Sequence, residues 1–150
     1  YLQELIVGAA AGIFFGALAW QLITSSFLSA ILLKYGGVIK SLKLNIPTII
    51  FVSICAGVGE EVFFRGVLQD YLGVIVTAVV FVAIHGYLSL TDWKISIYGL
   101  YMTVVIVALG FMDNYLGLTS AMAAHTAIDV VLFYKLSKLD LAKSHNVLVI

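Results

Sequence analysis

Two carboxylates and a guanidinium stand in the stretch Glu60-Glu61-Val62-Phe63-Phe64-Arg65, between the apolar runs Ile49-Ile50-Phe51-Val52 and Val67-Leu68. On a helix, residues four apart share a face while neighbours are turned about 100° away. Glu61 and Arg65 therefore pair, in the order that suits an i,i+4 contact, and can neutralise each other through bidentate hydrogen bonds. Glu60 is left without a partner on its own helix. A carboxylate so placed can take a proton from water and later return it, which is the work of a general base and acid. The structural alternative for all three charges is that they tie neighbouring helices together.

Further ionisable residues in apolar surroundings are His85, in Phe81-Val82-Ala83-Ile84-His85, and His125 with Asp129, in His125-Thr126-Ala127-Ile128-Asp129. A lone histidine in such a segment more often makes a helix-to-helix hydrogen bond than chemistry. Two of them beside Glu60, on different segments, form a set. A charge near the centre of a bilayer costs about 2.5–3.5 kcal/mol, so polar side chains turn to the interior of a helical bundle. The expected constellation is Glu60, His85, His125 and Asp129.

The elements that must position these residues are membrane helices. Of the 150 residues, 63% are hydrophobic and 11% are charged, against about 25% charged in soluble domains. The apolar runs are long enough to cross a hydrocarbon core of about 30 Å as helices. They predict an all-α transmembrane bundle of about five spans: Leu5 to Leu33, Pro47 to Tyr71, Gly73 to Leu90, Ile95 to Met112 and Gly117 to Tyr134. The first span, being long, tilts or ends early near Gln21–Ser26. It lacks a basic leader and a small-residue cleavage site, so it reads as a span and not as a signal peptide. Residues 34–46 read as a basic connection, closed by Pro47 at a helix start.

Lys34, Lys40 and Lys43 fall in that connection, Lys94 before the fourth span, and Lys135, Lys138 and Lys143 after the last. All then lie on one face, while Glu4, Asp70 and Asp113 lie on the other, with Asp113 in a loop. Positive charge is retained on the cytoplasmic side, which predicts an outside start and a cytoplasmic tail; the chain's proportions, typical of a prokaryotic membrane protein, make a prokaryotic cell membrane the expected location. Formal net charge is zero and no basic stripe exists, so nucleic acid is not an expected partner. A single cysteine excludes an internal disulfide framework. Cys55, Ala56, Gly57 and Gly59 read as small residues that let helices approach closely. The chain reads as one domain over 1–150, with its motifs in 47–134, and its start without Met leaves room for further helices upstream in a longer protein.

The ordered set EExxxR, FxxxH and HxxxD, each in its own span, resembles the CAAX protease and bacteriocin-processing (CPBP, or Abi) family, over roughly Pro47 to Tyr134. Members of that family are glutamate-dependent intramembrane endopeptidases. Eukaryotic ones act on prenylated CAAX proteins as type II CAAX prenyl endopeptidases, and bacterial ones are linked to bacteriocin maturation or immunity. The resemblance implies that Glu60, with His85, activates water for attack on a peptide carbonyl. It further implies that His125 and Asp129 hold the oxyanion, with Glu61 and Arg65 as structural support. Where the best-known members carry Asn, this chain has Asp129. Protonated, it can donate a hydrogen bond; ionised, it would instead orient His125 from one turn away.

Other intramembrane chemistries fit less well. Neither histidine lies in a His-Glu-x-x-His helix, Asp129 has no second aspartate within a span, and Ser120 lacks a supporting Gly-rich motif. A divalent ion on Glu60, His85 and His125 is neither required nor forbidden by spacing, but the resemblance implies a metal-free site and no cofactor. A non-catalytic protein, such as a bacteriocin immunity factor or a proton-relaying carrier, is the alternative. The expected partners are the lipid bilayer and a hydrophobic peptide or protein, prenylated or not. Phe14, Phe15, Phe63, Phe64, Trp93, Tyr98 and Tyr101 are the aromatic residues from which a cleft for it would draw, though most read as packing or interfacial anchors.

Overall fold

Asn45 and Pro47 begin the helix that carries the two glutamates. The Asn45 side chain accepts from the Thr48 amide at 2.9 Å, satisfying a first-turn donor, and Pro47 occupies a position where no amide is missed. The computed structural model describes residues 1–139, whose regular structure is all helical. In order they form α1 (Leu2–Ile23), a 3-10 turn (Ser26–Leu28), α2 (Ser29–Ser41), α3 (Ile46–Phe63), a π-helical turn (Phe64–Leu68), α4 (Gln69–Ile84), α5 (Trp93–Leu116) and α6 (Leu118–Lys138).

Leu2–Ile23, Ile46–Ile84 and Trp93–Leu116 are long and apolar enough to cross a membrane, and the chain is an integral membrane protein. The 39-residue run Ile46–Ile84 is not one rod. Gly73 has φ 71° and ψ 168°, a conformation open to glycine and strained for other residues. Beyond it the chain returns along its own path. The Phe64 and Phe81 rings meet at 4.8 Å, and Glu60 faces His85. The boundary expected between Tyr71 and Gly73 is therefore the tip of a helical hairpin. α6 is long enough to cross but is less apolar, because it carries His125, Asp129, Lys135 and Lys138.

Other boundaries differ from the sequence expectation. The first span ends at Ile23 and not Leu33, within the Gln21–Ser26 stretch where an early end was expected: Ser25 turns to extended backbone, while Thr24 Oγ1 donates to the Trp20 carbonyl and Ser25 Oγ to that of Leu22, each at 2.7 Å. Most of the connection 34–46 is helical instead, within α2. At 13 residues and 1.5 Å per residue, α2 is too short to cross. It buries its Ile31 and Leu32, next to Leu28 of the 3-10 turn, in the bundle, and Lys40 Nζ donates to the Leu139 carbonyl. Asp113 lies within α5, which runs to Leu116, and not in a loop.

Lysines gather at one end, as expected. Lys94 lies over the Phe27 ring and Lys135 over Trp20, while Trp93 meets Phe27 edge-on. At the opposite end Gln69 Nε2 donates to Asn114 Oδ1 at 3.0 Å and Asp113 Oδ2 at 3.3 Å. Lys143 lies outside the described residues, as does the side chain of Lys34.

α1 packs on α6 through Gly8, Gly12 and Gly16, one turn apart and all buried. A Cβ on Gly12 would press on the Ala124 carbonyl, and one on Gly8 on that of Ser120. Without a hydrophobic drive between helices in lipid, such close approach supplies the packing. Gly12→Leu is expected to destabilise the bundle by about 3 kcal/mol, the upper end for forced overpacking. Gly59→Ala, where a Cβ meets nothing within 4 Å, should be close to neutral. Thermal unfolding in detergent compares the two.

Candidate active site

Glu60 and Glu61 point to different surroundings, as adjacent helical residues must. Glu61 is fully buried. Its Oε2 accepts from Arg65 Nε at 2.9 Å and its Oε1 from His125 Nδ1 at 2.8 Å. Arg65 Nη2 donates in turn to the Ile106 carbonyl of α5 at 3.1 Å. One turn on, Gln69 Nε2 donates to the Gly110 carbonyl at 3.2 Å. The π turn spans this seam, its Gln69 amide bonding back to the Phe64 carbonyl. π turns are frequent at functional sites.

The Glu61–Arg65 pair fixes which nitrogen of His125 is occupied. A carboxylate held by a guanidinium accepts, so Nδ1 is the donor. Nε2 is thereby turned toward the cavity, 3.9 Å from Asp129 Oδ2, beyond a direct hydrogen bond. α3 and α6 come this close because Gly57 has no side chain where Thr126 packs. Of the small residues near it, Gly57 alone makes the expected close approach. Ala56 borders the cavity, Cys55 is exposed, and Gly59 has no neighbour for a side chain to meet.

Glu60 faces His85 across the hairpin, Oε2 to Nε2 at 3.4 Å, with side chains 34% and 32% exposed. The absence of a partner on its own helix thus leaves Glu60 free for a partner on the next. His85 Nδ1 donates to the Phe81 carbonyl at 2.7 Å, which leaves Nε2 to Glu60. An ionised carboxylate and a neutral Nε2 both accept, so a proton held by either, or a water donating to both, joins them.

These groups border one cavity of about 290 Å³, to which Glu60, His85, His125 and Asp129 all contribute. Its remaining walls are largely apolar, from Ile31 and Ile39 of α2, Tyr98 and Met102 of α5, and Ile128, Leu132 and Leu136 of α6. All four residues expected from sequence are brought together, with Glu61 and Arg65 directly behind His125. Among the described residues no three His, Cys, Asp or Glu side chains are grouped to hold a metal ion.

Of the aromatic residues named for a cleft, Tyr98 is the one that borders the cavity, and sequence reasoning gave no role to a second contributor, Phe81. Tyr98 is 4% exposed, whereas Phe14 and Phe63 face outward and Tyr101 is taken up by the Phe15 carbonyl at 2.7 Å. Phe81 contacts both histidines. Its place four residues before His85 was the signal available for it.

Fold and site together define a polytopic, all-helical membrane protein with a carboxylate–imidazole centre inside its bundle. The family model described as Type II CAAX prenyl endopeptidase Rce1-like matches residues 42–131, more than half of the chain, and the protein belongs to that family. A relative in Bacillus subtilis (strain 168), the uncharacterized protein YpbD, is 36% identical over 99 residues, covering 64% of this chain and 50% of the relative. The chain thus spans about half the length of that curated relative. No solved structure matches.

Proposed function

We propose that the protein is an intramembrane endopeptidase that hydrolyses a hydrophobic or lipidated peptide with water activated by Glu60. The observation that carries this reading is the pair Glu60 and His85 facing each other at the wall of an apolar cavity, with Nε2 of His125 turned to the same space. Glu60 takes a proton from water as its oxygen attacks the scissile carbonyl carbon. The carbonyl π pair moves onto oxygen, and the resulting oxyanion lies against His125, which donates from Nε2 in its imidazolium form. Protonated Glu60 then gives its proton to the amide nitrogen as the C–N bond breaks, and the acid and amine products leave. Glu61 and Arg65 hold His125 and take no proton. The apolar walls suit aliphatic side chains or a lipid chain beside the scissile bond. In this reading the lysine-bearing end is cytoplasmic, and no metal or other cofactor takes part.

The test is cleavage of a quenched fluorescent hydrophobic peptide by the protein reconstituted in lipid, with and without chelator, beside Glu60→Gln. Cleavage that survives chelator and is lost in Glu60→Gln supports the reading. Loss with chelator would make the enzyme metal-dependent, and no cleavage across a broad peptide panel would favour a binding or immunity role.

Asp129 does not have to be a carboxylate for this chemistry. With 20% of its side chain exposed and its oxygen 3.9 Å from His125 Nε2, an ionised Asp129 competes with the oxyanion for the same donor. Asp129→Asn supplies an N–H at that place. It is expected to keep kcat within about tenfold of wild type or to raise it, since one oxyanion donor contributes about 10²–10³ in kcat.

A further inference from the structure

We propose that Phe81 is a positioning residue that holds both site histidines in place; this rests on the peptidase reading for its effect on rate, though not for its effect on the rings. His85 needs such support. It stands just past the end of α4, at the helix cap, is followed by Gly86 with φ 75°, and leaves about a third of its side chain uncovered. The helix does not continue past it, and its other ring neighbour, Tyr87, lies parallel but farther off, at 6.3 Å.

Phe81 supplies the restraint in two ways. Its carbonyl takes the Nδ1 proton of His85, and its ring lies against the imidazole at 4.2 Å between centroids and 16° between planes. The same ring turns its edge relation to His125, at 5.7 Å and 66°, and packs against Phe64 at 4.8 Å and 63°. Phe64 immediately precedes Arg65 in the π turn. One buried ring, 4% exposed, therefore sets the plane of the imidazole that serves Glu60, its spacing from the imidazole that faces the oxyanion, and its distance from the segment that anchors Glu61. Offset-stacked and edge-to-face arrangements of this kind carry geometric preference beyond area burial. An aliphatic side chain of similar volume fills the space and lacks that preference. Because catalytic groups must be held near a productive geometry, loss of the restraint acts on the chemical step.

The test compares Phe81→Leu, which keeps bulk without a ring, with Phe81→Tyr, which keeps the ring. Phe81→Leu is expected to lower kcat tenfold to a hundredfold with KM within about twofold, and Phe81→Tyr to recover most of the loss. A purely structural role predicts that both variants lose rate in proportion to a fall in thermal midpoint, and that result would overturn the proposal. Nitrogen-15 spectra of labelled histidines give a readout independent of cleavage. Wild type should show His85 with Nδ1 protonated, and Phe81→Leu, which keeps the carbonyl but not the ring, should show the two nitrogen shifts drawn toward each other as the imidazole swings out of that hydrogen bond and both tautomers are populated. Unchanged His85 shifts in Phe81→Leu would sink the idea. If Phe81→Leu does not fold, Phe81→Met carries the same comparison. If wild type cleaves no peptide, the peptidase reading fails and the spectra alone decide the role of Phe81.

Discussion

Glu60→Gln is expected to lower kcat/KM by about a thousandfold or more, with a thermal midpoint close to that of wild type. The amide preserves shape and volume but can neither take a proton from water nor return one to the leaving nitrogen. Positioned proton transfer contributes about 10²–10⁴ to rate, and one carboxyl group here performs both transfers. The stability side of the expectation follows from position. Glu60 is a third exposed to the cavity and faces His85 at 3.4 Å, so its replacement leaves no buried charge stranded. Steady-state kinetics on the reconstituted protein, with unfolding followed in the same detergent, separate the two effects. Glu60→Gln with near-normal turnover would move the proton-transfer role to another residue and remove the reason for this one's place at the cavity wall.

The second large effect concerns the residue beside it and has the opposite character. Glu61 and Arg65 have no exposed side-chain surface and meet at 2.9 Å. Glu61→Leu strands the guanidinium in the bundle, and breaking a buried pair in this way costs about 3–5 kcal/mol. Replacing both, with Glu61→Leu and Arg65→Met, removes the stranded charge. Stability is expected to return to within about 1–2 kcal/mol of wild type, since buried pairs often exchange with apolar side chains at little cost. Activity is not expected to return with it. His125 Nδ1 loses its acceptor in the double variant, the imidazolium that donates from Nε2 loses the carboxylate that stabilises it and fixes its ring, and kcat stays about a hundredfold or more below wild type, as when an orienting carboxylate is lost from a catalytic histidine. Recovery of both stability and rate would reduce Glu61 to a structural role. A double-mutant cycle in unfolding free energy and in kcat reads the two outcomes separately.

Much of this arrangement was legible because lipid restricts where charge can go. The lysines marked one end of the bundle, Pro47 marked the start of α3, and Gly73 marked the hairpin tip, since each residue type has few acceptable places in a membrane helix. The set Glu60, His85, His125 and Asp129 was legible for the same reason. Other features depend on three-dimensional detail that spacing does not carry. α2 was hidden because Leu28, Ile31 and Leu32 continue the apolar character of α1, and its separation from α1 is made by extended backbone at Ser25 and the short 3-10 turn that follows. Spacing paired Glu61 with Arg65 but could not add His125, because that contact depends on how closely α3 and α6 cross at Gly57 and Thr126. Nor could it show that Glu60 meets His85, which follows from the hairpin folding back at Gly73.

The π turn at Phe64–Leu68 holds one residue more per turn than the α-helix around it. An extra residue advances the phase of everything downstream by about 100°. Deleting Gly66 would yield a straighter and more regular rod, yet Gln69 would swing away from Gly110 while Arg65 still met Ile106. Locally preferred geometry and assembly of the seam with α5 thus pull against each other over these five residues. Length in this stretch is accordingly under a tighter constraint than side-chain identity: natural variants should exchange Val67 or Leu68 freely for other apolar residues, and should almost never be one residue shorter.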